Sequence, residues 1–518
     1  MSGSNQNSPN RIIWRGACEL VMAIVAFSSW QSSACAETNR ARKIAIDSIT
    51  STDLKEHVRV LADDSLEGRE AGSRGGHAAA RYLGTHLVKI GIAPAGDKGG
   101  YYQPFGANMY NVLCQLPGSD PVLKNEYVVI GAHFDHVGYG SQKNSNGPIG
   151  FIHNGADDNA SGTAGLLEIA EALKKLETAP RRTIILAFWD GEEKDLLGAR
   201  HWVASPTVPK DKIKFAFNAD MIGRLRKDRI ELIGSRTARG LRRWASAQNQ
   251  DYGLALDFVW DLKEDSDHHC FFNAGIPVLM VHTGLHDQYH RPSDDLETID
   301  IAGIERVSRY LLSMALDVAD QDRIVSFRAA SRTEAEGNRR GLEMAAPAPP
   351  RLGVSWDSQT EPGKYKVVRV ENGSAAHRAG VNIGDEILAL NDVAPDSDNA
   401  MRKMVAASPS AAKLKVQRAN GKVEELALSL PGNGTRLGVT WREDEGEPDS
   451  LIVVQVVKGS AADEAGIWPG DRIYAVGKED SVSAASLAKS VADADEEIVL
   501  QVERMGRIFE ATAKLPPR

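Results

Sequence analysis

Apolar positions along this chain follow two alternating rhythms. In the amino-terminal part they recur at helical spacing, as Leu54, Val58 and Leu61 in one stretch and as Ala78, Tyr82, Leu83 and Leu87 in a second, which predicts two helices each burying one face. Between them the segment Leu66-Glu67-Gly68-Arg69-Glu70-Ala71-Gly72-Ser73-Arg74-Gly75-Gly76 is expected as a loop whose glycines interrupt both helices. Further on, short unbroken apolar runs at 127–132, 183–188, 213–218 and 276–281 are separated by helical stretches, the strongest at 162–176. Unbroken runs suit strands buried on both faces. Their alternation with helices predicts an α/β domain with a mixed, largely parallel sheet flanked by helices.

In such sheets ligands bind beyond the carboxyl ends of the strands, and there this chain places its acids and histidines. The run at 127–132 leads into His133-Phe134-Asp135, a spacing that suits a metal-binding histidine with a carboxylate to orient it. Gly155-Ala156-Asp157-Asp158-Asn159-Ala160-Ser161-Gly162 opens the strong helix with four residues of capping type where one suffices. The run at 183–188 closes on Glu192-Glu193, and adjacent side chains leaving a strand point in different directions, so one carboxylate can bind a metal while the other faces a water. Asn218-Ala219-Asp220 follows the next run. The last passes Thr283 and Gly284 to reach Tyr289-His290-Arg291-Pro292-Ser293-Asp294-Asp295.

Over residues of about 40 to 320 these motifs, with Leu66-Glu67-Gly68-Arg69 and Ser266-Asp267-His268, resemble the co-catalytic dizinc exopeptidases typified by bacterial leucyl aminopeptidases, relatives of glutamate carboxypeptidase and glutaminyl cyclase. The resemblance implies two Zn2+ ions, with Co2+ or Mn2+ also compatible with so carboxylate-rich a site. It makes His133 and Asp220 ligands of one ion and Glu193 and His290 ligands of the other, with Asp158 bridging them. It also makes Glu192 the general acid/base, Asp135 the support of His133, and Tyr289 a stabiliser of the oxyanion. His136, His153, His268, His269 and His286 are expected as hydrogen-bonded or surface residues, with His268 and Asp267 the nearest to a supporting role. The implied activity is removal of amino-terminal residues from peptides. A carboxypeptidase, a glutaminyl cyclase-like enzyme and an inactive peptide-binding scaffold remain the alternatives.

Residues 323–349, rich in Arg, Glu, Ala and Pro, read as a linker between a peptidase domain at 37–322 and the carboxyl-terminal region. Beyond it the sequence repeats: Arg351-Leu352-Gly353-Val354-Ser355-Trp356 returns as Arg436-Leu437-Gly438-Val439-Thr440-Trp441, and Gly373-Ser374-Ala375-Ala376 as Gly459-Ser460-Ala461-Ala462. The two copies, at 350–431 and 435–518, resemble PDZ domains. That implies peptide or protein ligands held by strand addition, with 351–354 and 436–439 as the carboxylate-receiving loops. Packing against the peptidase domain is the alternative use of the modules.

At 518 residues, 42% hydrophobic and 25% charged, the chain is too long for a single core. A net charge of −9 speaks against a nucleic-acid surface. Arg11 and Arg15, the apolar stretch 20–27 and Ala34-Cys35-Ala36 compose an expected secretory signal over 1–36, too short in its apolar part to span a bilayer. Ser32 disfavours lipid anchoring at Cys35, so the mature protein is expected in the periplasm or outside the cell. Cys114 and Cys270 are expected to be structural, their pairing open.

Overall fold

Four strands deliver the residues singled out above, and their pairing decides where those residues meet. The computed structural model describes residues 40–345, 350–357, 364–479 and 481–516. The expected signal at 1–36, with Cys35, lies outside the described residues. The chain divides into two units: one takes the described residues up to Ile213 with Ala219–Arg224 and His286–Asp322, the other Lys214–Asn218, Leu225–Leu285 and the chain from Arg323 onward. The division runs through the span 37–322 expected as one domain, because the chain there crosses between units several times.

In the first unit a helix over 40–47 (α1) precedes α2 (Ser51–Leu61) and α3 (Arg74–Ile90). Thr50 caps α2 by accepting the Asp53 amide, and the helix buries Leu54, His57, Val58 and Leu61 on one face. α3 starts on a Ser73 cap and ends on Gly91 in the left-handed region. Gly75 and Gly76, expected to break a helix, lie inside the first turn of α3. A Cβ on Gly75 would stand 1.9 Å from the Leu66 carbonyl oxygen, so glycine serves close approach there. Then follow β1 (Ala93–Pro94), β2 (Tyr102–Phe105), β3 (Met109–Leu116), β4 (Tyr127–His133), α4 (Gly162–Lys174), β5 (Thr183–Trp189) and α5 (Leu197–Ala204). β5 is buried at every position, as its unbroken apolar sequence requires. The sheet is mixed. β4 and β5 run parallel with His133 opposite Trp189, whereas β3 runs antiparallel to β5. The parallel register brings the chain after His133 and the chain after Trp189 out at one end, side by side.

β6 (Ile213–Ala219) is shared, its middle residues grouping with the second unit and its ends with the first. The second unit pairs β7 (Arg229–Ile233) parallel with β8 (Ala255–Val259) and antiparallel with β9 (Val278–His282). It also holds two five-stranded antiparallel sheets, β10–β14 over Val354–Asp357 to Val423–Ser429 and β15–β19 over Val439–Arg442 to Arg507–Lys514. The internal repeat is legible atom by atom. Ser374 and Ser460 cap equivalent short helices, and Gly353 and Gly438, at positive φ, each leave no room for a Cβ against those serines. Arg351 and Arg436 reach equivalent carbonyls, those of Val405 and Ser408 in one copy and of Val491 and Ala494 in the other. Cys114 and Cys270 are buried and form no disulfide.

The stretch expected as a linker carries structure instead. Its described part forms a turn over Ala329–Thr333 and a helix over Glu336–Glu343. Its charged residues, of a kind that suggests a solvated segment, are spent on partners. Glu334 accepts from Arg236 and Arg328, and Glu343 pairs with Arg472 at 2.7 Å and Arg242 at 3.4 Å. Arg472 also meets Glu447 at 2.7 Å, and Arg242 meets Glu503 at 2.8 Å. Burial raises the carboxyl pKa values of Glu334 and Glu447, but their arginine partners outweigh it and hold both at about 2, below the ordinary 4.5. Because these folded values lie below the unfolded ones, the stability they contribute is complete above about pH 4.5 and is lost as pH falls towards 2. Thermal melts in steps from pH 7 to pH 3 should therefore stay level for the second unit until about pH 4.5 and then decline. A level profile down to pH 3 would contradict the network.

Candidate metal centre

All the residues expected at the site belong to the first unit, and the structure brings them together. His133 ends β4, and its Nε2 lies 3.2 Å from Asp220 Oδ1 and 3.4 Å from Asp158 Oδ1. His290, at positive φ, puts its Nε2 3.0 Å from Asp158 Oδ2 and 3.2 Å from Glu193 Oε2, while its Nδ1 faces the Asn144 carbonyl at 2.8 Å. Asp158 therefore points one oxygen at each histidine, the arrangement a bridging carboxylate needs. Two groups of potential ligands result, His133–Asp158–Asp220 and His136–Asp158–Glu193–His290.

His136, expected only as a hydrogen-bonded or surface residue, places its Nδ1 2.8 Å from Glu193 Oε1 and 3.6 Å from Asp158 Oδ2. It is buried, three residues past His133 on the same strand exit. That shared exit is the signal the sequence offers for it. The other discounted histidines lie elsewhere. His153 bonds Ser145 Oγ at 2.8 Å, His286 Nε2 stands 3.1 Å from Asp157 Oδ2, and His269 faces Asn273. Asp267 and His268 are buried in the second unit, where neighbouring Ser266 accepts from Asn218 Nδ2 at 2.8 Å.

Local chemistry explains why these loops hold their shape. Asp135 spends its carboxylate on the loop after β5, accepting the Glu192 amide at 3.0 Å and the Glu193 amide at 3.3 Å, and stands 3.8 Å from His133 Nδ1. It thus aims both glutamates while facing the histidine. Asp294, also buried, accepts the Asp157 and Asp158 amides at 3.0 and 3.1 Å. Asn159 accepts from Gly162 and Met221 and donates to the Ala219 carbonyl, tying the loop of Asp158 to that of Asp220. Tyr289 stacks on His290 with ring centroids 3.9 Å apart.

The motif Leu66-Glu67-Gly68-Arg69 supports these loops from behind. Arg69 is fully buried and donates to the carbonyls of Phe134 at 2.8 Å, Leu61 at 2.6 Å, Asn154 at 2.5 Å and Gly155 at 3.0 Å. Burial pulls its pKa down to about 10, against the charges of Asp158 and Asp135. Gly68 has φ +67°, and a Cβ there would stand 2.4 Å from the His153 carbonyl oxygen and 2.6 Å from that of Gly138. Gly68→Ala should cost about 2 kcal/mol or more, from backbone strain and overpacking together, read as a lowered denaturant midpoint. An unchanged midpoint would mean that the loop does not need glycine.

The electrostatics favour cations. Asp135, Asp158, Glu192, Glu193 and Asp220 surround three imidazoles, an excess of negative charge that a buried pocket does not hold without a counter-charge. Burial opposes charge on His133, but Glu192 and Asp220 raise its pKa well above the usual histidine range. Burial likewise opposes charge on His290, and Asp158 and Glu193 raise it to about 10. Burial opposes charge on Asp158 and Glu193, and on Glu193 so does neighbouring Asp158, yet the imidazoles facing them hold both below the usual carboxylate range. Burial and the surrounding carboxylates push the Tyr289 hydroxyl up, keeping it a proton donor. His136 Nε2 is buried without a hydrogen-bond partner, and Asp158 Oδ2, though close to His290, has no aligned one. The donor set of imidazoles and carboxylates, with its stabilisation of positive charge, fits divalent ions of the zinc type.

Comparison with known proteins agrees. The model of peptidase family M28 matches residues 111–315, and a PDZ domain model matches 452–504. Leupeptin-inactivating enzyme 1 of Streptomyces exfoliatus is 31% identical over 176 residues, 33% of this chain and 35% of that enzyme. An aminopeptidase of Pseudomonas aeruginosa is 32% identical over 190 residues, 34% of this chain and 31% of its own. The chain thus spans about a third of the length of these relatives. Among solved structures, the LapA aminopeptidase of Legionella pneumophila is similar over 55% of this chain and 75% of its own, with 18% identity and a TM-score of 0.47. Over residues 111–315 the chain is thus similar to peptidase family M28, and over 452–504 to PDZ domains.

Proposed function

We propose that the protein is an exported aminopeptidase that hydrolyses the amino-terminal residue from peptides with two zinc ions at the site just described. The observation that carries this reading is Asp158, whose two oxygens face separate ligand groups. One ion would be held by His133, Asp220 and Asp158, the other by Glu193, His290 and Asp158, with His136 beside the second. Bound there, the ions supply Lewis acidity, acidifying a water and polarising the scissile carbonyl.

The chain's own residues do the rest. Glu192, aimed by the bond from its amide to Asp135, takes the proton of the attacking water and passes it to the leaving amine. Tyr289, fixed by its stack on His290, donates its hydroxyl proton as a hydrogen bond to the developing oxyanion. Asp135 orients the loop through its hydrogen bonds from the Glu192 and Glu193 amides and takes no part in proton transfer. Glu193→Gln removes one anionic donor, so metal analysis should find one ion retained less tightly and activity falling with it. Export rests on the basic and apolar character of the first 36 residues; among the described residues no helix is long and apolar enough to cross a membrane.

The deciding experiment supplies the purified, zinc-loaded chain with an aminoacyl reporter and with a reporter blocked at its amino end and free at its carboxyl end. Release from the first alone is expected. Release from the second alone would replace the reading with a carboxypeptidase, and zinc binding with neither substrate cleaved would leave a peptide-binding scaffold.

A further inference from the structure

Three helices of the first unit turn polar side chains towards one another where packing would ordinarily call for apolar ones. His57 comes from α2, Tyr82 and His86 from α3 at a spacing that places them on one face, and Glu168 and Glu171 from α4 likewise. His86 Nε2 stands 2.8 Å from Glu171 Oε1, and the rings of His57 and His86 meet edge to face at 4.7 Å. One ligand atom from each of His57, His86 and Glu171 lies within 4.8 Å of the others. The group opens onto a cavity of about 370 Å³ whose walls also include Asp53, Glu56 and Lys89.

We propose that His57, His86 and Glu171 form a further divalent-metal site, of the zinc type, separate from the catalytic pair. Glu171 lies roughly 13 Å along α4 from Gly162, at 1.5 Å per residue, so the catalytic loop that precedes α4 shares no ligand with it. The structure assigns each nitrogen of His57 a direction. Nε2 faces Glu168, which is 1% exposed and does not line the cavity, at 3.3 Å; Nδ1 faces the Tyr82 hydroxyl at 2.6 Å, on the cavity side. His57 would thus ligate through Nδ1 while Glu168 accepts from Nε2, the carboxylate–histidine support that metal-binding histidines ordinarily have. Glu168 Oε1 is buried without an aligned hydrogen bond, a deficit that a fixed Nε2–H on a metal-bound ring would remedy.

A tetrahedral ion with bonds of roughly 2.1 Å sets its donors roughly 3.4 Å apart. The His86–Glu171 pair stands at 2.8 Å and the other ligand atoms lie within 4.8 Å, close to that spacing. Tyr82 Oη or a water from the cavity would complete the shell. Burial, and then the neighbouring His57, lower the His86 pKa below the usual histidine range. Asp53 and Glu56 outnumber Lys89 around the opening and favour a cation.

The test counts zinc in the full chain after metal stripping, reloading and desalting. Asp158→Ala, which empties the proposed catalytic pair, should leave one zinc per chain, and adding His86→Ala should take that to none. Glu171→Gln, a milder change at a partly exposed side chain, should also lose the ion, which covers the case in which His86→Ala fails to fold. In the otherwise unaltered chain, His86→Ala should lower the zinc count by one without changing kcat. Cobalt loaded into Asp158→Ala should show the visible absorption of four-coordinate Co2+, abolished by His86→Ala. Zinc absent from Asp158→Ala, or a count indifferent to both His86→Ala and Glu171→Gln, overturns the site. Because those arms read an ion in the chain lacking its catalytic pair, they stand whether or not the aminopeptidase reading does.

Discussion

Glu192→Gln is expected to keep both zinc ions and lose roughly two to four powers of ten in kcat, the range that general acid–base catalysis contributes. The substitution is nearly isosteric, and the bond that positions residue 192 comes from its backbone amide to Asp135, so the loop should hold its place. Glu192 also stands outside both groups of potential ligands, and its removal takes no donor from either. What disappears is the carboxylate able to accept a proton from water, since an amide oxygen is far too weakly basic. Initial rates on an aminoacyl reporter, with elemental analysis of the same preparation, check both halves. Retained activity would move the base elsewhere. Loss of zinc would mean that Glu192 and Glu193 have exchanged roles.

The second large effect lies behind the site. Arg69→Met should destabilise the first unit by about 3 kcal/mol or more, because it leaves buried carbonyl oxygens unpaired, each costing about 1–3 kcal/mol. The affected groups are the carbonyls of Leu61, Phe134, Asn154 and Gly155, which join a helix end to two loops of the metal centre. At about 2–4 °C per kcal/mol for a unit of this size, the thermal midpoint should fall by at least roughly 6 °C. Arg69→Lys should recover only part of the loss, since an ammonium group carries three donors on a single nitrogen and cannot span acceptors spread around a guanidinium. A midpoint within a degree of the unaltered chain would show that the carbonyls find other partners.

Several site residues stand out in the amino-acid sequence, for a shared reason. His133, Asp158, Glu193, Asp220 and His290 follow strands or open a helix at places where an apolar pattern stops abruptly, and polar residues at such ends contrast with it. Of the Glu192-Glu193 pair, Glu193 lies in a group of potential ligands and Glu192 in neither. His136 is not legible as a neighbour of Asp158, because the path of the chain after β4 sets its direction, and that path depends on the carbonyls Arg69 holds. Arg69 itself can be singled out only as part of a motif. A buried arginine serving four backbone oxygens has no signature in spacing, since its partners come from distant segments.

By itself the sequence determined the four apolar strands that lead to the site, the helix opened at Gly162, the internal repeat and most of the side chains grouped as potential ligands, because each depends on local periodicity or residue type. Tertiary structure alone decided that Asp158 faces two ways, that the charged stretch after Asp322 pairs with arginines from three directions, and that His57, His86 and Glu171 converge from separate helices. The physical reason is common to all three. Charge and coordination act through space over a few ångströms, and neighbours at that range come from residues far apart in the chain, brought together by packing that local pattern does not encode.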